Sequence, residues 1–248
     1  MKKINDQVLS FKIGLTNNFL IKLSGGYLLV DTNYYHKYEQ FLKELKSEKI
    51  SPGEIYYLLL THHHNDHAGF AKRFLLTSQA RLIVHNNAIP FLKMGIHDNR
   101  GKHWNKWIQQ MLDPLSKIIN HKYPGLKVRK EDLILEGNCL KNSLDFRLDG
   151  KIISTPGHSS DSISIVFNDG NAIVGDVAMN LFNLGETKYR PFFIQDINEI
   201  YKSWRKLIRF GAKIIFPAHG KPFTTDKLSK KLHNIKKTEH ITNSEILF

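Results

Sequence analysis

Thr61-His62-His63-His64-Asn65-Asp66-His67-Ala68-Gly69 is the stretch on which the reading of this 248-residue chain turns. Within it His62, His64, Asp66 and His67 form the pattern H-x-H-x-D-H, four metal-type ligands in six residues. Neutral imidazole and carboxylate are what a borderline cation such as Zn²⁺ takes. Just before it runs Ile55-Tyr56-Tyr57-Leu58-Leu59-Leu60, an apolar run of buried-strand length. Just after it, Ala68 to Leu75 reads as a helix. The ligands therefore sit on the loop leaving a buried strand. Side chains two apart on an extended run point the same way, so His62 and His64 can face one metal. Asp66 and His67 lie where the chain turns toward the helix, and can face a second point a few Å away. That density of ligand types separates the stretch from a histidine-rich surface loop.

H-x-H-x-D-H after a buried strand resembles the signature of the metallo-β-lactamase superfamily. The resemblance implies three later ligands: a His, a bridging Asp and a last His. Candidates occur in that order as His158 in Thr155-Pro156-Gly157-His158-Ser159, Asp176 in Val174-Gly175-Asp176, and His219 in Pro217-Ala218-His219-Gly220. Each follows an apolar run, at 151–154, 171–174 and 213–216, and strand ends are where a rigid scaffold presents chemistry. Carried over position by position, the resemblance implies a first site of His62, His64 and His158. It implies a second of Asp66, His67 and His219, with Asp176 bridging them. The implied cofactors are two divalent ions, Zn²⁺ first, with Fe or Mn left open because N and O ligands do not select among them. The implied fold is α+β, a four-layer αββα sandwich with a helical insertion. The implied chemistry is hydrolysis by a metal-bound hydroxide, with Asp66 also able to pass a proton.

Composition sets the outer bounds. The length suits a single domain over 1–248, and 41% hydrophobic content supplies a core. One cysteine, Cys139, cannot form an intramolecular disulfide and fits a reducing compartment. Met1 to Gln7 carries basic residues with no apolar region behind them, so no signal peptide is expected. No run reaches membrane-span length. The expected location is the cytoplasm. The formal charge of +13 admits an anionic substrate, nucleic acid or plain compositional bias. Residues 90–130 hold nine Lys and Arg against two Asp.

Outward from the motif, 8–13 and 18–23 have strand character, with a turn expected at Thr16-Asn17-Asn18. Tyr27 to Val30 is another strand, ending at Asp31. The resemblance favours Asp31 as a carboxylate behind a metal-bound histidine. Residues 36–48 show helical spacing, and Arg81 to Val84 returns as a strand, which suggests a parallel crossover. A helical insertion is expected over about 86–130, with an apolar stripe through Trp104, Trp107, Ile108, Met111 and Leu112. It is either core packing or a lid beside the site. Short strands at 131–137 and 144–148 are expected to open the second half, and helices at 197–210 and after Thr224 to complete it. His63, His85, His97, His103, His121, His233 and His240 lie outside the motif positions. They are expected in core or surface roles, with His97, His103 and His121 the ones that could instead reach the pocket from the insertion; His36 is unassigned.

Departures narrow the family reading. Asp176 stands where β-lactam-hydrolysing relatives often use Cys, and His64 where diiron flavoprotein relatives have Glu. The large C-terminal helical domain of glyoxalase II-type thioesterases and the long arm of tRNA-processing nucleases are not seen. The reading is a binuclear hydrolase of ester-type bonds (lactone, thioester or carboxylic ester) in a small molecule, which the positive charge allows to be anionic. The alternative is a phosphodiesterase or nuclease, which the basic segment favours. A third reading is a non-catalytic metal-binding regulatory protein.

Overall fold

Alternating side chains along the first strands give one sheet two buried faces, and the rest of the architecture follows from what covers each. A computed structural model describes residues 1–97, 102–103, 122–137, 140–142, 148–181 and 188–245. The chain opens on β1 (Lys2–Lys3), β2 (Val8–Ile13), β3 (Thr16–Leu23), β4 (Gly26–Val30) and α1 (Tyr38–Ser47). β5 (Ile55–Leu59) leads into the histidine-rich stretch, then α2 (Asn65–Ala68), α3 (Ala71–Ser78), β6 (Arg81–His85) and α4 (Ile89–Met94). β7 (Lys102–His103), β8 (Leu133–Leu135), β9 (Leu140–Asn142), β10 (Gly150–Ser154), β11 (Ile163–Phe167) and β12 (Asn171–Ile173) follow. The chain continues through β13 (Phe193–Ile194), α5 (Ile197–Arg209), β14 (Ile214–Phe216), β15 (Phe223–Thr224) and α6 (Asp226–Glu245).

Among the described residues one large sheet has the order β1-β2-β3-β4-β5-β6-β8 and a second β15-β14-β12-β11-β10-β9, while β7 and β13 pair antiparallel in a third, two-stranded sheet. β4, β5, β6 and β8 pair in parallel, as the strand–helix–strand order requires. Period-two alternation sends Phe19, Ile21, Leu28, Val30, Leu59 and Ile83 between the sheets, against Ile152, Ile163, Ile165 and Phe167 of the second. The opposite face, through Leu20, Leu29, Leu58, Leu82 and Val84, packs on Phe41, Leu45, Phe74 and Leu92 of the flanking helices. Beyond the second sheet, Ile153, Val166 and Ile215 meet Trp204 and Leu207 of α5 and Leu228 and Leu232 of α6. The result is an α+β fold in four layers, helix–sheet–sheet–helix.

Three local expectations are corrected. The first turn falls at Gly14-Leu15, where Gly14 takes φ +63°, and Thr16, Asn17 and Asn18 lie inside β3. The two asparagines are struts: Asn17 Nδ2 donates to the carbonyls of Pro217 (2.9 Å) and Gly220 (2.8 Å). Asn18 Nδ2 donates to those of Asp31 (3.1 Å) and Thr32 (2.6 Å). Second, the helix after the motif is split at Gly69-Phe70, because Thr32 takes the His67 carbonyl with both its N–H (2.6 Å) and its hydroxyl (2.7 Å). Third, β8 closes the edge of the first sheet against β6 and does not open the second half. Of the helical insertion, α4 is described; the stripe from Trp104 to Leu112, Cys139 and the strand expected over 144–147 lie outside the described residues. No helix among the described residues is long and apolar enough to cross a membrane.

Candidate metal centre

Asp31 ends β4 with φ +60°, a conformation an ordinary side chain adopts at a cost of about 1–3 kcal/mol. Its own N–H donates to Leu59 (2.8 Å), and Asn18 holds its carbonyl. The turn aims a buried carboxylate under the motif. Oδ1 accepts from the Thr61 N–H at 2.7 Å. Oδ2 accepts from the Thr61 hydroxyl at 2.7 Å and from His67 Nδ1 at 2.9 Å. The one hydroxyl hydrogen of Thr61 is committed to Asp31. Its oxygen therefore accepts from His62 Nδ1, 3.1 Å away. One carboxylate thus sets two imidazoles so that Nε2 of His62 and Nε2 of His67 face the same interior point.

The second half repeats the device with carbonyls. His158 Nδ1 donates to Phe193 O (2.7 Å), and His219 Nδ1 donates to Leu15 O (3.1 Å). Two glycines make the approach. Gly157, before His158, has φ +130°, and a Cβ there would lie 2.4 Å from the Ile200 amide nitrogen. Gly175, before Asp176, has φ +53°, and a Cβ would lie 2.7 Å from the Thr61 hydroxyl oxygen.

The seven side chains singled out in the sequence converge. His158 Nε2 lies 3.2 Å from His62 Nε2 and 3.0 Å from His64 Nδ1. Asp66 Oδ2 lies 3.2 Å from His219 Nε2 and 3.7 Å from His67 Nε2. Asp176 stands between the two groups, with Oδ2 3.6 Å from His158 Nε2. Its Oδ1 is 3.6 Å from His67 Nε2 and 3.5 Å from His219 Nε2. Three trios bring one ligand atom each within 4.8 Å of the others: His62, His64 and His158; His62, His67 and Asp176; and Asp66, His67 and His219.

The electrostatics divide the cluster in two. Burial, reinforced by neighbouring histidines, pushes His62 and His64 well below the usual imidazole range. Burial also lowers His158, against the pull of Asp176. In the other trio burial is outweighed. Asp66, Asp176 and Asp31 raise His67 well above its ordinary value, and Asp176 and Asp66 raise His219. Burial alone would raise both carboxyls. His67 and His219 instead hold Asp66 below the usual carboxylate range, and the same two imidazoles do so for Asp176.

A cation fits this donor set. His62 Nε2 and His158 Nε2 each carry a lone pair once their Nδ1–H groups are committed, so their contact is no hydrogen bond. His67 Nε2 and Asp176 Oδ1 are buried without a hydrogen-bond partner. Buried polar atoms of that kind are costly unless satisfied, and a divalent ion satisfies them together.

His64, Asp66, His158, Asp176 and His219 form the floor of a cleft of about 460 Å³. Its walls are Ile13, Leu15, Met179, Leu181, Phe192 and Phe193, with Tyr34, His36 and Lys37 beside them. Burial, then Asp66 and Asp176, raise the Tyr34 phenol, which stays protonated. Of the two places open to His97, surface or pocket, it takes the pocket, lining the cleft with its ring stacked on His64 at 3.8 Å. His63 is fully buried. Nothing local in the sequence marks Tyr34 or Phe193, which arrive from elements remote from the motif.

A family model, the Metallo-beta-lactamase superfamily, matches residues 12–219. The chain belongs to the metallo-beta-lactamase superfamily. Members of that superfamily to which it is similar include the Beta-lactamase-like protein 2 homolog of Caenorhabditis elegans. It is 24% identical over 241 residues, covering 93% of this chain and 65% of the relative. The Probable metallo-hydrolase YqjP of Bacillus subtilis is 23% identical over 203 residues, covering 74% of this chain and 60% of the relative. The chain spans 58–65% of the length of the curated relatives it matches. A metallo-beta-lactamase mutant from Cronobacter sakazakii superposes with TM-score 0.66 at 16% identity, over 98% of this chain and 96% of its own. That likeness is one of fold.

Proposed function

We propose that the protein is a binuclear metal-dependent hydrolase of ester-type bonds (lactone, thioester or carboxylic ester) in a small molecule. His62, His64 and His158 would hold one ion and Asp66, His67 and His219 the other, with Asp176 available to both. The observation that carries this is the convergence of all seven side chains, five of which line a small, largely apolar cleft. Two divalent ions held there, Zn²⁺ in the first instance, would supply a water of near-neutral pKa and an electrophile for a substrate oxygen.

The chain's own residues do the rest. Asp31 and the Phe193 and Leu15 carbonyls keep four imidazoles in the tautomer that turns Nε2 inward. The apolar walls seat an acyl portion and exclude bulk water. Lys37 at the cleft suits a carboxylate or other anionic group on the substrate. Tyr34, kept protonated, donates to a substrate oxygen beside Asp66 and Asp176. Asp66, 15% exposed at the side chain and held ionised, accepts a proton and passes it to the leaving group. The single cysteine fits a reducing compartment, and we place the protein in the cytoplasm.

One observation favours a second reading, cleavage of a phosphodiester: the nine basic and two acidic residues over 90–130. The test sets the zinc-loaded protein on a lactone, a thioester and a chromogenic phosphodiester in one buffer, with His219→Ala beside it. Acyl cleavage that disappears in the variant supports the ester reading. Dominant phosphodiester cleavage that disappears likewise overturns it. Cleavage that survives His219→Ala places the chemistry elsewhere.

A further inference from the structure

We propose that His63 and Asp161 form a clamp that sets the spacing of the His62, His64 and His158 trio, and that both are positioning residues and not ligands. This rests on the metal-centre reading above. That trio is assembled from two loops on different sheets: His62 and His64 leave β5, and His158 leaves β10. The distance between those loops therefore decides whether three nitrogens can share one ion.

Along the extended run after β5, His62 and His64 face the cluster and His63 faces away. It does not reach solvent. The His63 and Asp161 side chains are both fully buried, with Asp161 three residues past His158 on the loop to β11. Asp161 Oδ1 accepts from His63 Nδ1 at 2.9 Å, and its Oδ2 accepts from the His63 main-chain N–H at 2.9 Å. The His63 carbonyl accepts from the Tyr123 hydroxyl at 2.6 Å. The ring lies on Phe91, with centroids 4.2 Å apart and planes 16° from parallel. Amide, carbonyl, ring nitrogen and ring face of one residue are thus all held. Beside this, the Ile163 N–H donates to Thr61 O at 2.9 Å, a second tie between the same two loops.

The geometry of the carboxylate matters more than its charge. Two oxygens receive two hydrogens from one residue, which fixes both the position and the rotation of the peptide between His62 and His64. Ligand atoms need to be held within about 0.5 Å to bind well. Nothing else on the β10–β11 loop reaches His63 with that bidentate grip among the contacts described. Asparagine at 161 keeps the volume but turns one acceptor into a donor aimed at an N–H.

The test is a chelator competition of the protein loaded with Co²⁺, read by the cobalt visible spectrum. His158→Ala and His219→Ala identify which binding step belongs to which trio. Asp161→Asn is expected to weaken the step lost in His158→Ala by roughly 10–100-fold, and to leave the step lost in His219→Ala where it is. Leu45→Ala, fully buried in the helix-side core, lowers the melting temperature and leaves both steps unchanged, separating positioning from general stability. His63→Gln keeps the main-chain donor and serves if Asp161→Asn does not fold. It is expected to weaken the same step less. A variant that melts lower but binds cobalt at both steps as the wild type does overturns the clamp. Wild-type protein that takes up no cobalt overturns the metal-centre reading, and the clamp with it.

Discussion

Asp31 carries more of the site than any other residue that is not itself a proposed ligand. It accepts from Thr61 twice and from His67, and through Thr61 it fixes His62. Asp31→Asn keeps the size and replaces one acceptor by a donor. The expected outcome is a loss of metal affinity of about 10–100-fold at the trio containing His67, read by titration against a chelator. The protonation pattern gives a second expectation. His67 and His219 are raised, so in the metal-free protein they hold protons that an incoming ion displaces. His62, His64 and His158 are lowered and have none to displace at neutral pH. Affinity at the Asp66–His67–His219 trio therefore falls as pH drops, by about tenfold per unit for each proton displaced. Affinity at the other trio stays level across the same range. Two binding constants followed over pH check this; parallel slopes contradict it.

At the scale of the element, each proposed ligand stands where a strand stops, and the glycines and caps around it are as specific as that residue. Asp196 caps α5, accepting from the N–H groups of Asn198 (2.8 Å) and Glu199 (3.2 Å). Its own N–H donates to Gly157 O at 3.0 Å, beside His158. Asp196→Ala is expected to cost about 1 kcal/mol, a fall in melting temperature of about 2–4 °C by calorimetry. Gly157→Ala is expected to cost more and to lower metal binding too, because a Cβ would meet the α5 backbone at 2.4 Å. The strands were legible because period-two alternation and apolar runs record burial locally, and the seven converging positions because each follows such a run. The asparagines of β3 misled for the same reason. Asn17 and Asn18 look like turn formers until the Pro217, Gly220, Asp31 and Thr32 carbonyls they serve are in place. The place of β8 was also hidden: a three-residue apolar run does not say which sheet edge it completes. The pairing of His63 with Asp161, 98 residues apart, leaves no local trace.

Across the whole molecule, the two large sheets meet through one core and at one cluster, whose proposed ligands come from both. His62, His64, Asp66 and His67 leave the first sheet; His158, Asp176 and His219 leave the second. Ions bound there tie the halves together in the folded state alone. Stripping them is therefore expected to lower stability by about 4 kcal/mol for each ion whose free concentration stood at a thousand times its dissociation constant. Thermal melts with and without chelator read this directly. The measurement that bears most directly on the two-ion centre is elemental analysis of zinc-loaded, dialysed protein beside His219→Ala, with ester hydrolysis followed on the same samples. The expected result is about two ions per chain in the wild type, fewer in the variant, and hydrolysis lost with the missing ion. Wild-type protein that retains no metal, or a variant with undiminished metal and hydrolysis, would contradict it.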